Sequence, residues 1–211
     1  MAGLANCSEQ IKANELPIQI LGDSAHVLYH EVLQALCNGE TVGSVRDPNS
    51  IGSAWGACER PTKELRYATL ILTNPRERIV NSPMFPLEKA FPRAALGTLS
   101  DELDVSALGF YDPKALAFSD DGKTMPTNYG YRIRHLDHTD QIQLVIDQFK
   151  QDSNTRRAVI HVHAVADFER KYDPCIDSLH FLIRDGALEC HSFWRSENAL
   201  RWTQWAGQLF R

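Results

Sequence analysis

A two-residue turn constrains the fold of this chain more than any other feature of its sequence. The alternating runs "SLHFLIRDG" and "ALECHSFWRS" meet at Asp185-Gly186, and this pattern predicts two antiparallel strands joined by a tight turn. Cys175 precedes the first strand, directly after a proline, and Arg195-Ser196 follow the second strand. The proline and the hairpin together can hold the Cys175 sulfur at a point where the positive charge of an arginine reaches it.

The composition excludes several broad classes of function. Of 211 residues, 43% are hydrophobic and 23% are charged, which is ordinary for a globular protein with one sizeable core. The formal net charge of -5 argues against a nucleic-acid partner or a membrane surface. No segment approaches the roughly 20 apolar residues of a membrane span. We therefore predict one domain over residues 1–211, a cytoplasmic location and, for any bound phosphate, a small ligand.

Cysteine and histidine spacing does not indicate a metal site. Five cysteines, an odd number, include no C-x-x-C pair, so neither a disulfide framework nor a zinc site is expected. His161 and His163 lie two residues apart on a predicted strand, but no nearby spacing supplies further ligands. We predict no metal and at least one free thiol.

Hydrophobic periodicity predicts a mixture of helices and strands. The run "DSAHVLYHEVLQALCNG" favours a helix that Asp23 or Ser24 caps and Gly39 ends. Two runs, "LRYATLILTNPRERI" and "AVIHVHAV", have the β-branched density of strands. These elements indicate an α/β (α+β) fold, in which a mixed sheet packs with helices.

The run "TDQIQLVIDQFKQDSNTRR" predicts the clearest helix. Thr139 or Asp140 stands near its start. One face is predicted to be apolar, and it consists of Ile142, Val145, Ile146 and Phe149.

Basic residues in separate segments suit one phosphorylated ligand. They are Arg46 in a glycine-containing loop, Arg156 and Arg157 after the long helix, and Arg195 with Ser196 after the hairpin. Arginine presents a rigid fork of donors that matches phosphate oxygens, and a serine hydroxyl adds a neutral hydrogen bond. For each arginine singly, the alternative is a solvated side chain at the end of an element.

Cys175 is a candidate nucleophile. Nearby arginine charge favours the ionised thiolate, which is the reactive form of cysteine. The alternative is a small buried hydrophobic residue. Residue types and spacing leave both interpretations open.

Three runs in order resemble the thymidylate synthase family, which includes pyrimidine nucleotide hydroxymethylases. They are "NYGYRIRH", "DQIQLVIDQFKQDSNTRRAVIHVH" and "PCIDSLHFLIRDGALECHSFWRSENA". Upstream, "VLQALCNG…VRDPNSIGSAWG" and "LRYATLILTNPRERI" resemble the family's first helix, arginine-bearing loop and first strand. The likeness spans residues 25–206, and it implies a single domain of the thymidylate synthase type.

The resemblance also implies a mechanism. Cys175 would add as a thiolate to C6 of a pyrimidine nucleoside monophosphate, and C5 would accept a one-carbon unit from 5,10-methylenetetrahydrofolate. Arg195, Ser196 and Arg46 would hold the phosphate. Tyr129 matches the family tyrosine near the site of proton transfer. Its alternative role is packing as a half-buried tyrosine beside the following glycine.

The family uses a paired arginine across a subunit interface. Arg156 and Arg157 would therefore serve the site of a neighbouring subunit. This resemblance implies a symmetric homodimer.

The sequence departs from the family in the base pocket. Ile176 replaces the usual histidine after Pro-Cys, and Asn198 replaces an aspartate. Ala206 falls where uracil-specific members carry the asparagine that reads N3 and O4 of the base. Loss of that reader weakens base discrimination by ~1–3 kcal/mol.

Two further departures concern proton transfer and the chain end. Ala94 aligns with the family glutamate that manages protons, with Glu88 or Glu102 as alternatives. The family also continues beyond the position matching residue 211, with a segment that contacts the sugar and closes over the folate. The expectation is a shortened sequence or a trimmed relative.

These departures rank three functions. Hydroxymethylation of a cytosine nucleotide, CMP or dCMP, is favoured because it uses the same thiolate and phosphate contacts with an altered base pocket. Methylation of dUMP is the first alternative. The second is a nucleotide-binding relative whose catalysis is impaired.

Overall fold

In the computed structural model the chain divides into two compact units. One unit comprises residues 1–45 and 60–79, and the other comprises residues 46–59 and 80–211. The single domain over 1–211 stays a prediction. The described residues are 18–38, 41–42, 62–65, 67–77, 80, 124–125, 128–170, 173–196 and 199.

The first unit contains a parallel strand pair and a helix. β1 (Gln19–Gly22) pairs in parallel with β4 (Thr69–Leu72), and α1 (Ala25–Asn38) follows β1. Two short strands, β2 (Thr41–Val42) and β3 (Thr62–Lys63), form an antiparallel pair. β4 and α1 confirm the predicted strand and helix, whereas β1 was not predicted.

Close packing of α1 on β1 depends on a glycine. The Ser24 hydroxyl accepts the Val27 amide at 3.2 Å, so Ser24 caps the helix as predicted. At Gly22 an added Cβ would lie 2.7 Å from the Leu28 Cβ and 2.8 Å from its backbone nitrogen. The absence of a side chain at Gly22 therefore lets the first turns of α1 approach the strand.

The second unit is a three-stranded antiparallel sheet with two helices. Its sheet has the order β5-β6-β7. Two short 3-10 turns, Leu136–His138 and Val165–Glu169, complete the described elements. In chain order the helices and strands are α2 (Tyr129–His135), α3 (Gln141–Gln151), β5 (Val159–His161), β6 (Ile176–Arg184) and β7 (Ala187–Trp194).

The predicted hairpin is confirmed. Arg184 pairs with Ala187, so Asp185 and Gly186 form the turn. Their φ angles are 51° and 76°, the left-handed values that a two-residue hairpin turn requires. The turn therefore matches the right-handed twist of the strands.

The long helix is also confirmed, with one correction on its apolar face. The Asp140 carboxylate accepts the Gln143 amide and caps the start of α3. Ile142 and Phe149 pack against the core, and Val145 is buried. Ile146, predicted to share this face, is 42% exposed. The buried stripe follows the spacing of 142, 145 and 149, which turns residue 146 away from the sheet.

The strand predicted in "AVIHVHAV" is shorter than expected. The amides of Val162 and His163 both donate to the Asp177 carbonyl, at 2.9 and 3.1 Å. A β-bulge between Ile176 and Ser178 provides this shared acceptor. β5 therefore ends at His161, and His163 leaves the strand ladder.

A small core joins the sheet to both helices. Its buried members are Tyr129, Val145, Ala158, Ile160, Val162, Ile176 and Leu179. Described helices together with parallel and antiparallel strands confirm the predicted α+β class. Within the described ranges, no helix combines the length and apolarity that crossing a bilayer demands.

A buried ion pair fixes the segment between β5 and β6. Arg132 of α2 donates to both carboxylate oxygens of Asp167 at 2.6 Å, and their side chains are 3% and 1% exposed. The Ala164 amide donates to the same carboxylate at 2.7 Å. Burial alone raises the pKa of Asp167, but these hydrogen bonds and the Arg132 charge outweigh burial and hold that pKa below its usual value.

Candidate active site

The open end of the hairpin brings Cys175 beside the residues that follow β7. Ile176 pairs with Trp194, and the Arg195 amide donates to the Cys175 carbonyl at 3.0 Å. The pairing therefore continues one residue beyond the strands. Cys175 is neither fully buried nor fully exposed, as a sulfur that meets an external ligand requires.

Ser196 contacts the candidate nucleophile directly. Its hydroxyl donates to the Cys175 sulfur, with 3.7 Å between oxygen and sulfur. A hydroxyl donor stabilises negative charge on sulfur. The predicted proximity of Cys175, Arg195 and Ser196 is thus present in the structure.

The Arg195 guanidinium lies against the segment that precedes Cys175. Nε donates to the Pro174 carbonyl at 3.1 Å. Nη2 donates to the Asp173 carbonyl at 3.1 Å and to its carboxylate at 2.8 Å. Nη1 lies 3.5 Å from the Ser196 hydroxyl. Asp173 therefore partly neutralises the arginine charge beside Cys175.

His163 approaches the same carboxylate from the other side. Its Nε2 lies 3.5 Å from Asp173 Oδ2, and the side chains are 12% and 34% exposed. The Phe168 ring meets the imidazole edge-on, with centroids 5.2 Å apart. His163, Asp173 and Arg195 thus form a line of three charged or ionisable groups leading to the cysteine.

Tyr129 reaches Cys175 from the start of α2. Its hydroxyl accepts the Cys175 amide at 3.2 Å, and its ring packs edge-on against Trp194 at 6.5 Å. Asn128 caps the helix by accepting the Gly130 amide at 3.1 Å. Both interpretations of Tyr129, packing and proximity to the chemistry, agree with this geometry.

Comparison with known proteins gives the family. The thymidylate synthase family model matches residues 97–201. The deoxyuridylate hydroxymethyltransferase of Bacillus phage SP01 is 28% identical over 162 residues, which cover 70% of this chain and 42% of that protein. A provisionally named thymidylate synthase of Methanocaldococcus jannaschii is 31% identical over 150 residues, covering 67% of this chain and 60% of the archaeal protein.

This chain is a divergent member of the thymidylate synthase family. The matched regions span 42% and 60% of those two relatives. Among solved structures, thymidylate synthase of T4 phage aligns with a TM-score of 0.44 and 20% identity, over 57% of this chain and 49% of that one.

In this family member the paired arginines are far from Cys175 along the sheet. The Phe181 amide donates to the Ala158 carbonyl, so Ala158 lies beside Phe181, which follows Cys175 by six residues. At the rise of a strand, six residues span about 20 Å. Arg157 comes just before Ala158. Both arginine side chains are exposed, and His180 contacts the Arg156 carbonyl at 3.1 Å. The structure does not bring them to the cysteine of the same chain.

Six other residues predicted for the site fall outside the described ranges. Arg46, Asn198 and Ala206 lie outside the described residues. The proton-transfer candidates Ala94, Glu88 and Glu102 lie outside them as well. Their roles stay predictions.

Sequence reasoning missed Asp173 and its contact with His163. Asp173 immediately precedes the Pro-Cys pair, and an acidic residue at that point was the available signal. His163 was predicted to share a strand with His161, but β5 ends at His161 and His163 lies beyond it.

A cavity of about 370 Å³ lies elsewhere in this unit, between residues 131–138 and Arg170. None of the predicted site residues lines it.

Proposed function

We propose that this protein transfers a one-carbon unit to C5 of a pyrimidine nucleoside monophosphate through a covalent adduct with Cys175. The observation that carries the proposal is the contact of Ser196 with the Cys175 sulfur at 3.7 Å, beside the Arg195 guanidinium. A partly exposed thiol with a hydroxyl donor and a neighbouring cation suits nucleophilic attack next to a bound anion.

Each residue then has a defined task. The Cys175 thiolate bonds to C6, and the electron pair of the C5–C6 double bond makes C5 nucleophilic. After C5 gains its carbon substituent and loses its proton, the C6–S bond breaks, which restores the thiolate and the C5–C6 double bond. In hydroxymethylation, water would supply the hydroxyl group and tetrahydrofolate would be the group released. Arg195 and Ser196 hold the phosphate with Arg46, and Tyr129 fixes the Cys175 amide on the opposite side.

The one-carbon donor is 5,10-methylenetetrahydrofolate, which supplies carbon at the oxidation level of formaldehyde. The part of the chain that the structure describes assigns no side chain to it. Cys175 and its neighbours are suited to the nucleotide, and their tasks do not depend on where the folate docks.

Hydroxymethylation of a cytosine nucleotide, CMP or dCMP, is the favoured product chemistry. Ala206 lacks the amide with which uracil-specific members read the base, which favours an altered base pocket. A specific observation favours uracil instead: the phage SP01 relative is named a deoxyuridylate hydroxymethyltransferase. Methylation of dUMP is the third possibility, suggested by the name of the archaeal relative.

A homodimer is part of the proposal. Arg157 lies about 20 Å along β6 from Cys175, and both Arg156 and Arg157 are exposed. That separation suits arginines that complete the phosphate site of a partner subunit in a symmetric dimer. A cytoplasmic location also stays a prediction.

One observation favours an impaired, nucleotide-binding relative. The Asp173 carboxylate accepts a hydrogen bond from Arg195 Nη2 at 2.8 Å. The cation expected to hold phosphate and support the thiolate therefore already has an anionic partner. If that pair never opens, the fold would persist without turnover.

Release of tritium from C5 tests the proposal. The full chain would be incubated with C5-labelled dUMP, CMP and dCMP, with and without methylenetetrahydrofolate. We expect release from a cytosine nucleotide, since attack at C6 labilises the C5 proton whatever the final product. Cys175→Ser should abolish it, whereas the matched variant Cys190→Ser should not. No release from any nucleotide would support the binding-only alternative.

A further inference from the structure

The carboxylate of Asp173 lies between two cationic or ionisable side chains. Oδ1 is 2.8 Å from Arg195 Nη2, and Oδ2 is 3.5 Å from His163 Nε2. Asp173 and Arg195 retain 34% and 45% side-chain exposure. An ion pair this exposed is held weakly, so a competing anion in solvent can exchange with the carboxylate.

Hydrogen bonding leaves Arg195 little capacity for a ligand while Asp173 is bound. The described contacts use four of the five guanidinium N–H groups, counting one at Nε, one at Nη1 and two at Nη2. Bidentate binding of phosphate requires two parallel N–H groups. An incoming phosphate must therefore displace the Asp173 carboxylate to be held in that way.

His163 is the group placed to accept the displaced carboxylate. Two carboxylates act on its imidazole, those of Asp173 and Asp167. Asp167 is already paired with Arg132 at 2.6 Å and Arg170 at 3.3 Å. His163 is therefore available to Asp173, with the Phe168 ring packed against its edge.

We propose that Asp173 is an internal anion that occupies Arg195 in the free protein, that a phosphate monoester displaces it, and that His163 receives the displaced carboxylate. The inference rests on the proposed function in taking a phosphate monoester as the ligand. A phosphate monoester carries about −1.5 to −2 charges near neutral pH, so it outcompetes one carboxylate. A nucleoside, which lacks that charge, does not displace the carboxylate, so only a phosphorylated ligand opens the ion pair.

The test compares nucleotide with nucleoside binding in two variants. Asp173→Asn keeps the shape and an acceptor oxygen but removes the competing charge. We expect it to tighten binding of CMP, dCMP or dUMP by about fivefold or more. His163→Gln removes the imidazole that receives Asp173, so it should weaken the same binding by a similar factor. Affinities for cytidine and deoxyuridine should not change in either variant.

Calorimetry at one pH and one salt concentration gives these affinities. A double variant provides a further readout, because His163→Gln should have no effect once Asp173 is asparagine. Glu189→Gln is the matched control: it removes an equal charge from an exposed contact on β7, where Glu189 lies 3.1 Å from His191. If Asp173→Asn does not fold, Asp173→Ser replaces it.

The outcomes separate the two proposals. Weaker binding in both variants, or equal changes for nucleosides, would assign Asp173 and His163 a merely structural role and overturn the inference. Unchanged nucleotide binding would overturn it too, even with intact tritium release. If Asp173→Asn tightens nucleotide binding and His163→Gln weakens it, but no tritium is released, the inference is supported and the proposed catalysis is rejected. No binding of monophosphate or inorganic phosphate to wild type or Asp173→Asn would reject both.

Discussion

The backbone amide of Cys175 donates to the phenol oxygen of Tyr129, 46 residues earlier in the chain, across 3.2 Å. Tyr129 belongs to the hydrophobic core and contacts Trp194 at the end of β7. The candidate nucleophile is therefore anchored from two directions, by the hairpin it begins and by the start of α2.

Tyr129→Phe removes that acceptor while keeping the ring. We expect the free energy of unfolding to fall by about 1 kcal/mol, because the Cys175 amide loses a part-buried partner. If the phenol also lies at the site of proton transfer, tritium release should fall by about 10²-fold. Chemical denaturation and single-turnover release measure the two effects separately.

Trp194→Phe is the control for this substitution. It preserves an aromatic contact with Tyr129 and leaves the hydrogen bond to Cys175 intact. We expect near-normal release from this variant. If Tyr129→Phe releases tritium at the wild-type rate, the role of Tyr129 is packing alone.

Nucleotide should protect Cys175 from alkylation. The sulfur is partly exposed, and the proposed adduct places the pyrimidine ring directly over it. At a ligand concentration ten times Kd, iodoacetamide modification of Cys175 should slow about tenfold. Peptide mapping by mass spectrometry reports Cys37, an exposed free thiol on α1, as the internal control.

Equal protection of the two thiols would indicate a general change in the protein rather than ligand at Cys175. No protection at Cys175, at saturating nucleotide, would place the ligand elsewhere.

The sequence allowed the local elements to be predicted because their signals are local. A two-residue turn at Asp185-Gly186 sets the hairpin register, and Asp140 caps α3 through an amide only three residues ahead. The parallel pairing of β1 with β4 joins segments about 50 residues apart. No local pattern specifies such a partner, so β1 was missed.

The candidate site was predicted in part for the same reason. Hairpin geometry makes the proximity of Cys175 and Arg195 predictable. The contact of His163 with Asp173 depends on the bulge at Asp177, which ends β5 early and releases His163 from the ladder. Arg132 and Arg134 lie in one run, and their spacing suggests a solvated helix face. Only the fold shows that Arg132 is buried, in an ion pair with Asp167.

Gly22→Ala should destabilise the first unit. The new methyl would stand 2.7 Å from the Leu28 Cβ and 2.8 Å from its backbone nitrogen, so helix α1 must move. We expect a loss of about 1–3 kcal/mol in the free energy of unfolding.

Gly186→Asn is the contrasting variant. Its position has open space around an added Cβ and a φ of 76°, which asparagine tolerates, so the expected loss is less than about 1 kcal/mol. Denaturant titration of both variants would reject the packing argument if Gly22→Ala were the milder change.

Asp167→Asn should be among the most destabilising polar substitutions. It leaves the Arg132 charge buried without its carboxylate, although Val162 still accepts one Arg132 hydrogen bond at 2.8 Å. Breaking a buried pair from one side costs about 3–5 kcal/mol. The exposed control Glu189→Gln should stay within about 0.5 kcal/mol of wild type. Similar losses in both variants would contradict the special contribution of the buried pair.

The Asp167 carboxylate also makes the free energy of unfolding depend on pH in the acid range. The folded-state pKa of Asp167 lies below its usual value, whereas the unfolded chain titrates near the ordinary aspartate pKa of about 3.9. Above that pH both states are ionised and the full contribution is present. As pH falls through about 3.9 toward the folded-state pKa, the unfolded state takes up the proton first, and the contribution is progressively lost.

Asp167→Asn removes this titration. Its free energy of unfolding should be lower than that of wild type above about pH 5, and the two curves should converge as the pH falls below about 4. Urea titrations across this range measure the convergence, and Glu189→Gln should run parallel to wild type. A constant difference between Asp167→Asn and wild type would show that Asp167 has the same pKa in the folded and unfolded states, and the buried pair with Arg132 would then not account for the acid sensitivity.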